Sequence, residues 1–301
     1  MTTIVDRRYA GLADFWPVRD FLAELRPIVP PGRCWDLRRW DGSHCHTTTP
    51  VLEPARAERT RLWEADGRIV AAALYAGGPQ LHPQVHPEWV HLADEVIAWG
   101  EEAAAALHDE RVVLHCWDHD VTVRRIAERR GYAQTDRWEI VYRGRFGEWP
   151  IPEPVVPPGY VMRSTRDEEA DHQAIADLIN AAFVRDFHVA EDHRAFSVNA
   201  PSFRRELDLV AVAPDGTFAA YAALCWEGAG RTVVFEPVCT HPDHRRRGLA
   251  RALMLEGLHR ARRLGAVTFE VGTGDLDPAN ALYASLPFTE VYRGRFWGKG
   301  L

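Results

Sequence analysis

A chain that repeats its own landmarks in the same order has few folds open to it, and this chain does so on the scale of a whole module. In its first half a hairpin signal, Arg61 to Glu64 and Arg68 to Leu74 around Asp66-Gly67, precedes His86-Pro87-Glu88. In its second half Leu207 to Val212 and Phe218 to Leu224 flank Pro214-Asp215-Gly216, and His241-Pro242-Asp243 follows. Glycine after aspartate between apolar runs marks a tight β-turn. Each His-Pro mark leads into a helix, then an apolar strand (Val112 to His115; Val267 to Val271), then a short helix closing on Arg130-Gly131-Tyr132 or Leu286-Pro287-Phe288. Pro87 and Gly131 lie 44 residues apart, Pro242 and Pro287 45. Agreement in both order and spacing predicts one α/β unit written twice. The hexapeptide Val141 to Phe146 recurs unchanged as Val291 to Phe296, though ten residues after Gly131 in one case and four after Pro287 in the other. It supports the duplication without fixing its register.

Between the copies, residues 148–159 hold five prolines in twelve positions. Fixed φ angles and missing amide donors make such a stretch extended and semi-rigid. The expected organisation is therefore a domain over 1–147, a linker over 148–159 and a domain over 160–301. A length of 301 residues suits two cores.

Composition narrows the function classes. With 46% hydrophobic and 26% charged residues the chain is expected to be globular and soluble. No apolar run approaches the ~20 residues that cross a bilayer, and the start, Met1 to Arg8, has no apolar signal core, so no membrane partner is expected. Five scattered cysteines without a C-x-x-C pair read as reduced thiols, which places the chain in the cytoplasm. A net charge of −7 argues against nucleic acid as a partner and is compatible with a cationic amine. His44-Cys45-His46 reads as strand, where neighbours alternate faces, and no second ligand pair matches it; no metal is expected.

The segment from Phe235 to Leu253 carries the chemistry. Thr232 to Thr240 is β-branched and apolar enough for a strand. His241 to Arg247 is a polar loop, and a helix begins near Gly248 with Leu249, Ala252, Leu253 and Leu258 on one face. A strand that feeds a helix through such a loop points free amides at one spot and adds the positive end of the helix dipole. Gly248 lets a diphosphate approach the backbone, and arginines donate bidentately to phosphate. Alone, Arg245-Arg246-Arg247 reads as a solvated helix cap. The glycine, the small Ala250 and the preceding strand turn the reading toward phosphate.

Residues 235 to 253, with Arg-x-x-Gly-x-Ala at their centre, resemble the acyl-CoA pyrophosphate loop of the GCN5-related N-acetyltransferases, the GNAT superfamily. Asp277 to Phe288 resembles a later motif of that family, and the likeness covers residues 160 to 301, more weakly the first half. The resemblance implies two tandem modules, each a mostly antiparallel, splayed sheet flanked by helices, with acetyl-CoA as co-substrate lying between strands 232–240 and 267–271. It assigns main-chain contacts around Val238, Cys239 and Thr240 to the pantetheine arm. Arg245, Arg246, Arg247, Gly248, Leu249, Ala250 and Arg251 go to the pyrophosphate. Asn280 or Asp277 stands where the family carries an asparagine, and Pro287 replaces its usual glycine.

Acetyl transfer needs a base for the amine and an acid for the thiolate. The resemblance makes Tyr283 the acid, against its reading as a core aromatic. Glu236 on the strand before the loop is a candidate base, directly or through water, against its reading as a surface carboxylate. The terminal carboxylate of Leu301 is another. Cys239 has no histidine at a recognisable spacing, so direct attack in a ternary complex is expected rather than a covalent enzyme.

After His86-Pro87-Glu88 the first half reads Trp89 to Glu95, acidic and bulky, with no Arg-x-x-Gly-x-Ala. It is expected to keep the fold, lack the cofactor grip and support the catalytic half, walling part of its substrate cleft. Phe183 to Phe203 can line the acceptor side. The expected activity is transfer of acetyl to a primary amine of a small molecule by a monomer or homodimer. The alternatives are a mycothiol-synthase-like acetyltransferase and a non-catalytic acyl-CoA-binding sensor or scaffold.

Overall fold

The computed structural model describes residues 3–75, 78–228, 230–274 and 276–301. Its first elements are β1 (Ile4–Arg8), α1 (Phe15–Leu25), α2 (Leu37–His44), α3 (Thr49–Glu58), β2 (Arg61–Ala65), β3 (Arg68–Tyr75), β4 (Gln80–Val85), α4 (Ala93–Ala106), β5 (Arg111–Trp117), α5 (Val121–Arg129) and β6 (Ala133–Arg145). There follow β7 (Val161–Ser164), α6 (Glu169–Phe183), α7 (Ala190–Asn199), β8 (Asp208–Val212), β9 (Phe218–Glu227), β10 (Thr232–Thr240), α8 (Leu249–Arg263), β11 (Thr268–Gly274), α9 (Asp277–Ala284) and β12 (Glu290–Gly300).

These elements form two compact units. One comprises Met1–Asp36, Thr48–Val141 and Tyr292–Leu301; the other comprises Leu37–Thr47 and Tyr142–Val291. The first unit orders its strands β1-β2-β3-β4-β5-β12. Pairing is antiparallel from β1 to β4 and parallel between β4 and β5, where only Gln80↔Val113 and Leu81↔Leu114 pair. The second orders β7-β8-β9-β10-β11, with the end of β6 beside β11. It is antiparallel from β7 to β10 and parallel between β10 and β11. Both units are thus mixed α/β with mostly antiparallel sheets, as the duplication predicts.

Local chemistry explains the hairpins. Asp66 and Gly67 take φ of 49° and 77°, the left-handed pair that a two-residue turn requires, and Gly216 takes 89°. The first core gathers Trp63, Leu81, Val96, Ile97 and Leu114 together with Trp297 from the end of the chain. The second gathers Ile175, Leu178, Val210, Phe218, Tyr221 and Cys239.

The expected division at 148–159 differs from these units at residues 142–147, which join the second, and in two segments exchanged between the halves. Residues 37–47 fold with the second half, and residues 292–301 with the first. β5 accounts for the second exchange: Gly294↔Trp117 through Gly300↔Arg111 make β12 its antiparallel neighbour, and an apolar edge gains a partner. The repeated hexapeptide straddles the points where the chain passes between units, after Val141 and after Val291. Its glycine has the same work in both places. A Cβ on Gly144 would lie 2.2 Å from the Phe269 ring, and one on Gly294 would lie 2.7 Å from His115 Nε2.

Candidate active site

The duplicated His-Pro marks fold alike before they diverge. His241 Nδ1 accepts from the Asp243 amide at 3.3 Å, and His86 Nδ1 accepts from the Glu88 amide at the same distance. In the first unit a six-residue 3-10 turn, Pro87–Leu92, then runs straight into α4, whose N-cap Leu92 is right-handed. In the second unit the turn stops at His244. Arg245 is extended, Arg246 takes φ of 61°, and Gly248 caps α8 at φ 78°.

Gly248 is there for its backbone. A Cβ would meet nothing within 4 Å, so sign of φ rather than crowding selects glycine, and the space before the helix end is open. Among the described residues the amides of Arg246, Arg247, Gly248, Leu249, Ala250 and Arg251 donate to no protein acceptor; Ala252 is the first to bond, to the Gly248 carbonyl at 2.9 Å. A row of free amides at the positive end of a 15-residue helix fits a pyrophosphate. Arg245 and Arg247 donate to the Ala182 and Asp243 carbonyls at 3.1 and 3.4 Å, and all three arginines of the triplet are exposed.

The strand before the loop forks away from its neighbour. β10 pairs with β11 from Thr232↔Thr268 only to Phe235↔Val271. A bulge follows between Phe235 and Val238, and β10 continues on β9 alone to Thr240↔Ala220. The edge of Val238 to Thr240 turned from β9 therefore has no strand across from it, as a pantetheine arm requires. Cys239 points its side chain into the second core, where burial and then Glu236 push the thiol up to about 12. A thiol so buried is not a nucleophile, and any cofactor contact from this residue is main-chain.

α9 brings Tyr283 to the fork. It is buried, and burial first, then Glu236 and Cys239, raise its hydroxyl well above the usual phenol range, so the proton stays on oxygen. Its ring lies 5.8 Å from that of Tyr142. The Asn280 side chain is hydrogen-bonded within the fold. Its amide donates to the Gly274 and Leu276 carbonyls at 3.3 and 3.1 Å, and its oxygen accepts from Tyr142 at 3.0 Å. That side chain ties the β11–α9 turn and is spent; Asp277 is exposed at the start of α9. Leu301 belongs to the first unit, where its amide donates to the Glu110 carbonyl at 3.2 Å.

Beside Glu236 opens a cavity of about 420 Å³. Helix α6 supplies Ile175, Ala176, Ile179 and Phe183, and the next loop supplies Arg185, His188 and Val189. α7 supplies Asp192, His193 and Phe196, and the floor is Tyr221, Ala223, Glu236 and Pro237. Of the stretch from Phe183 to Phe203, residues as far as Phe196 line it. The remaining wall comes from early in the sequence: Arg38, Arg39, Gly42 and Ser43 on α2, and His46 after it.

Sequence reading missed α2. His44-Cys45-His46 is the end of a helix, not a strand, and His44 Nδ1 lies 2.9 Å from the Trp40 carbonyl one turn back. The signal was present as Leu37, Trp40, Asp41 and His44, an i, i+3, i+4, i+7 stripe that is buried throughout, but a charged residue in the stripe hides it. Asp41 is wholly buried because Ser202 donates its amide to the carboxylate at 3.0 Å; the Leu37 amide donates to buried Glu227 at 2.6 Å.

Behind the cavity runs a buried polar chain. His172 and His193 face each other Nδ1 to Nδ1 at 2.7 Å, so one ring must donate to the other. His172 Nε2 lies 3.1 Å from Asp167, and His193 Nε2 lies 3.1 Å from Asp208, which also accepts from Tyr221 at 2.6 Å. The chain locks α6, α7, β8 and β9 around the cavity.

Comparisons with known proteins bear on family and fold. Residues 172–288 match the family model described as Acetyltransferase (GNAT) family. No curated protein sequence matches the chain. Among solved structures, a tandem GNAT protein from the clavulanic acid biosynthesis pathway shares 17% identity over 100% of this chain and 98% of its own, with a TM-score of 0.69. A GCN5-related N-acetyltransferase from Sphaerobacter thermophilus shares 20% over 99% and 95%, at 0.67. A GNAT-family acetyltransferase from Colwellia psychrerythraea shares 11% over 98% and 100%, at 0.62. These likenesses extend the fold to both units.

Proposed function

We propose, from the membership of residues 172–288 in the GNAT acetyltransferase family, that the second unit moves an acetyl group from acetyl-CoA to a primary amine of a small molecule by direct attack. The observation that carries the reading is the left-handed cap at Gly248 with its row of free amides, beside a strand edge left open by the fork. Bound there, acetyl-CoA supplies an activated acyl carbon.

The chain's own residues would do the rest. Amides of Arg246 to Arg251 would hold the pyrophosphate, and main-chain groups of Val238 and Thr240 the arm. Glu236, exposed and lining the cavity, would take the proton from the amine, directly or through water. Tyr283, kept protonated by its burial, would give its proton to the leaving sulfur. The first unit, with no left-handed cap at its own helix start, would bind no cofactor.

A thiol-release assay with acetyl-CoA against amines, aminoglycosides and peptides tests this. Turnover with a small amine is expected, together with acetyl-CoA binding that Arg247→Glu with Gly248→Trp abolishes. Unchanged affinity in that double variant sinks the loop assignment. Binding without thiol release from any amine would make the chain an acyl-CoA sensor instead.

A further inference from the structure

We infer that the cavity of the second unit accepts an amine that also carries an oxyanion, a carboxylate or a phosphate, seated against Arg38, His46 and His188. The inference rests on the acetyl-transfer reading and names the class of its acceptor.

Charge is the first argument. Glu236 stands at the fork, where the amine must be deprotonated. Away from it the wall carries Arg38, Arg39 and Arg185 against one carboxylate, Asp192. Asp192 is committed to its own helix start and to α2's tail, accepting from the Val189 amide at 3.2 Å and from the Thr47 hydroxyl. A cavity acidic at one end and basic at the other repels a simple alkylammonium from its basic end and suits a ligand charged both ways.

Geometry is the second. A Cβ on Gly42 would lie 3.0 Å from Arg38 Nη1 and 3.8 Å from His46 Nε2, so these nitrogens converge on one spot that glycine keeps clear. Phe196 holds both: the Arg38 guanidinium stands 5.5 Å over its ring, and His46 stacks on it at 5.2 Å and 20°. The Arg38 guanidinium donates to an oxyanion at that spot; His46 gives its Nδ1 proton to the Asp192 carbonyl at 3.4 Å, so its Nε2 donates there only in the protonated ring.

The third is an orphan. His188 Nε2 is buried and has no protein partner among the described residues. A buried polar nitrogen left unbonded costs about 1–3 kcal/mol, and an oxyanion from the ligand would satisfy it as the acceptor of its N–H. Ile175, Ile179 and Phe183 enclose the space with apolar surface, which suits a hydrocarbon body between the two charged ends.

The test uses the full chain and matched probes: phenylalanine against phenethylamine for carboxylate, phosphoethanolamine against ethanolamine for phosphate. Binding is read by calorimetry without acetyl-CoA, and turnover by thiol release with it. The anionic member of at least one pair is expected to bind and react at least about tenfold better. Arg38→Met, which removes the guanidinium and keeps an unbranched side chain, is expected to erase that preference while leaving acetyl-CoA affinity unchanged. Equal treatment of both members, no binding by either anionic probe, a preference that survives Arg38→Met, or a loss that strikes both members alike overturns the inference. Thiol release without anion preference leaves acetyl transfer standing and removes the subsite. Anion-selective binding without any thiol release does the reverse.

Discussion

At the scale of single residues, two positions separate binding from chemistry. Gly248 is glycine because its φ is 78°, a region where an L-residue costs about 1–2 kcal/mol. Gly248→Ala is therefore expected to lower the melting temperature and weaken acetyl-CoA binding even though its methyl meets nothing, and calorimetry checks both. Tyr283 sits at the fork with its proton retained by burial. Tyr283→Phe is expected to lower kcat about 10²-fold with acetyl-CoA affinity intact; an unchanged rate removes it as the acid. Burial, with Arg38 adding, holds His46 below the ordinary imidazole range, against smaller opposing pulls from Asp192; burial also lowers His188. A depressed imidazole stays neutral when folded but takes a proton when unfolded. The stability it secures is complete above about pH 6.5 and is lost as pH falls toward and through the folded value. Thermal melts from pH 7 to 5 should show that decline, and His46→Phe should make it shallower.

At the scale of elements, what is written locally could be read locally. The β10–loop–α8 segment declares itself because strand, turn and helix cap are consecutive, and each residue's role depends on neighbours a few positions away. Tyr283 and Glu236 could be named, but not their facing, since alternation along β10 is interrupted by the bulge after Phe235. The tie between Asn280 and Tyr142 could not be read, because the two lie 138 positions apart. α2 was invisible for a related reason: its buried stripe contains Asp41, whose carboxylate accepts from the Ser202 amide, 161 positions away. Asp41→Ala should leave that amide unsatisfied and cost about 1–3 kcal/mol. It should also raise the acceptor KM with little change in acetyl-CoA affinity, because α2 walls the cavity and not the phosphate loop; steady-state kinetics and calorimetry together decide this.

At the scale of the whole molecule, the duplication was legible and the exchange of segments was not. The repeated hexapeptide gave the only hint, and its changed offset marks where each copy's last strand crosses from one unit to the other. Residues 1–147 expressed alone should lack a cooperative melt, since Trp297 and the β12 partner of β5 are missing from them. Adding a peptide of residues 290–301 should restore part of it, and calorimetric melting of fragment and mixture reads the outcome. Biosynthesis inherits the same arrangement. Domains ordinarily close as they leave the ribosome, the earliest-made first. Here the earlier-made unit takes its final strand from Tyr292 to Leu301, translated after the whole of the second unit, so it must wait, one sheet edge bare, until that stretch emerges. A stop codon just before Tyr292 would take a strand from the unit that was made first.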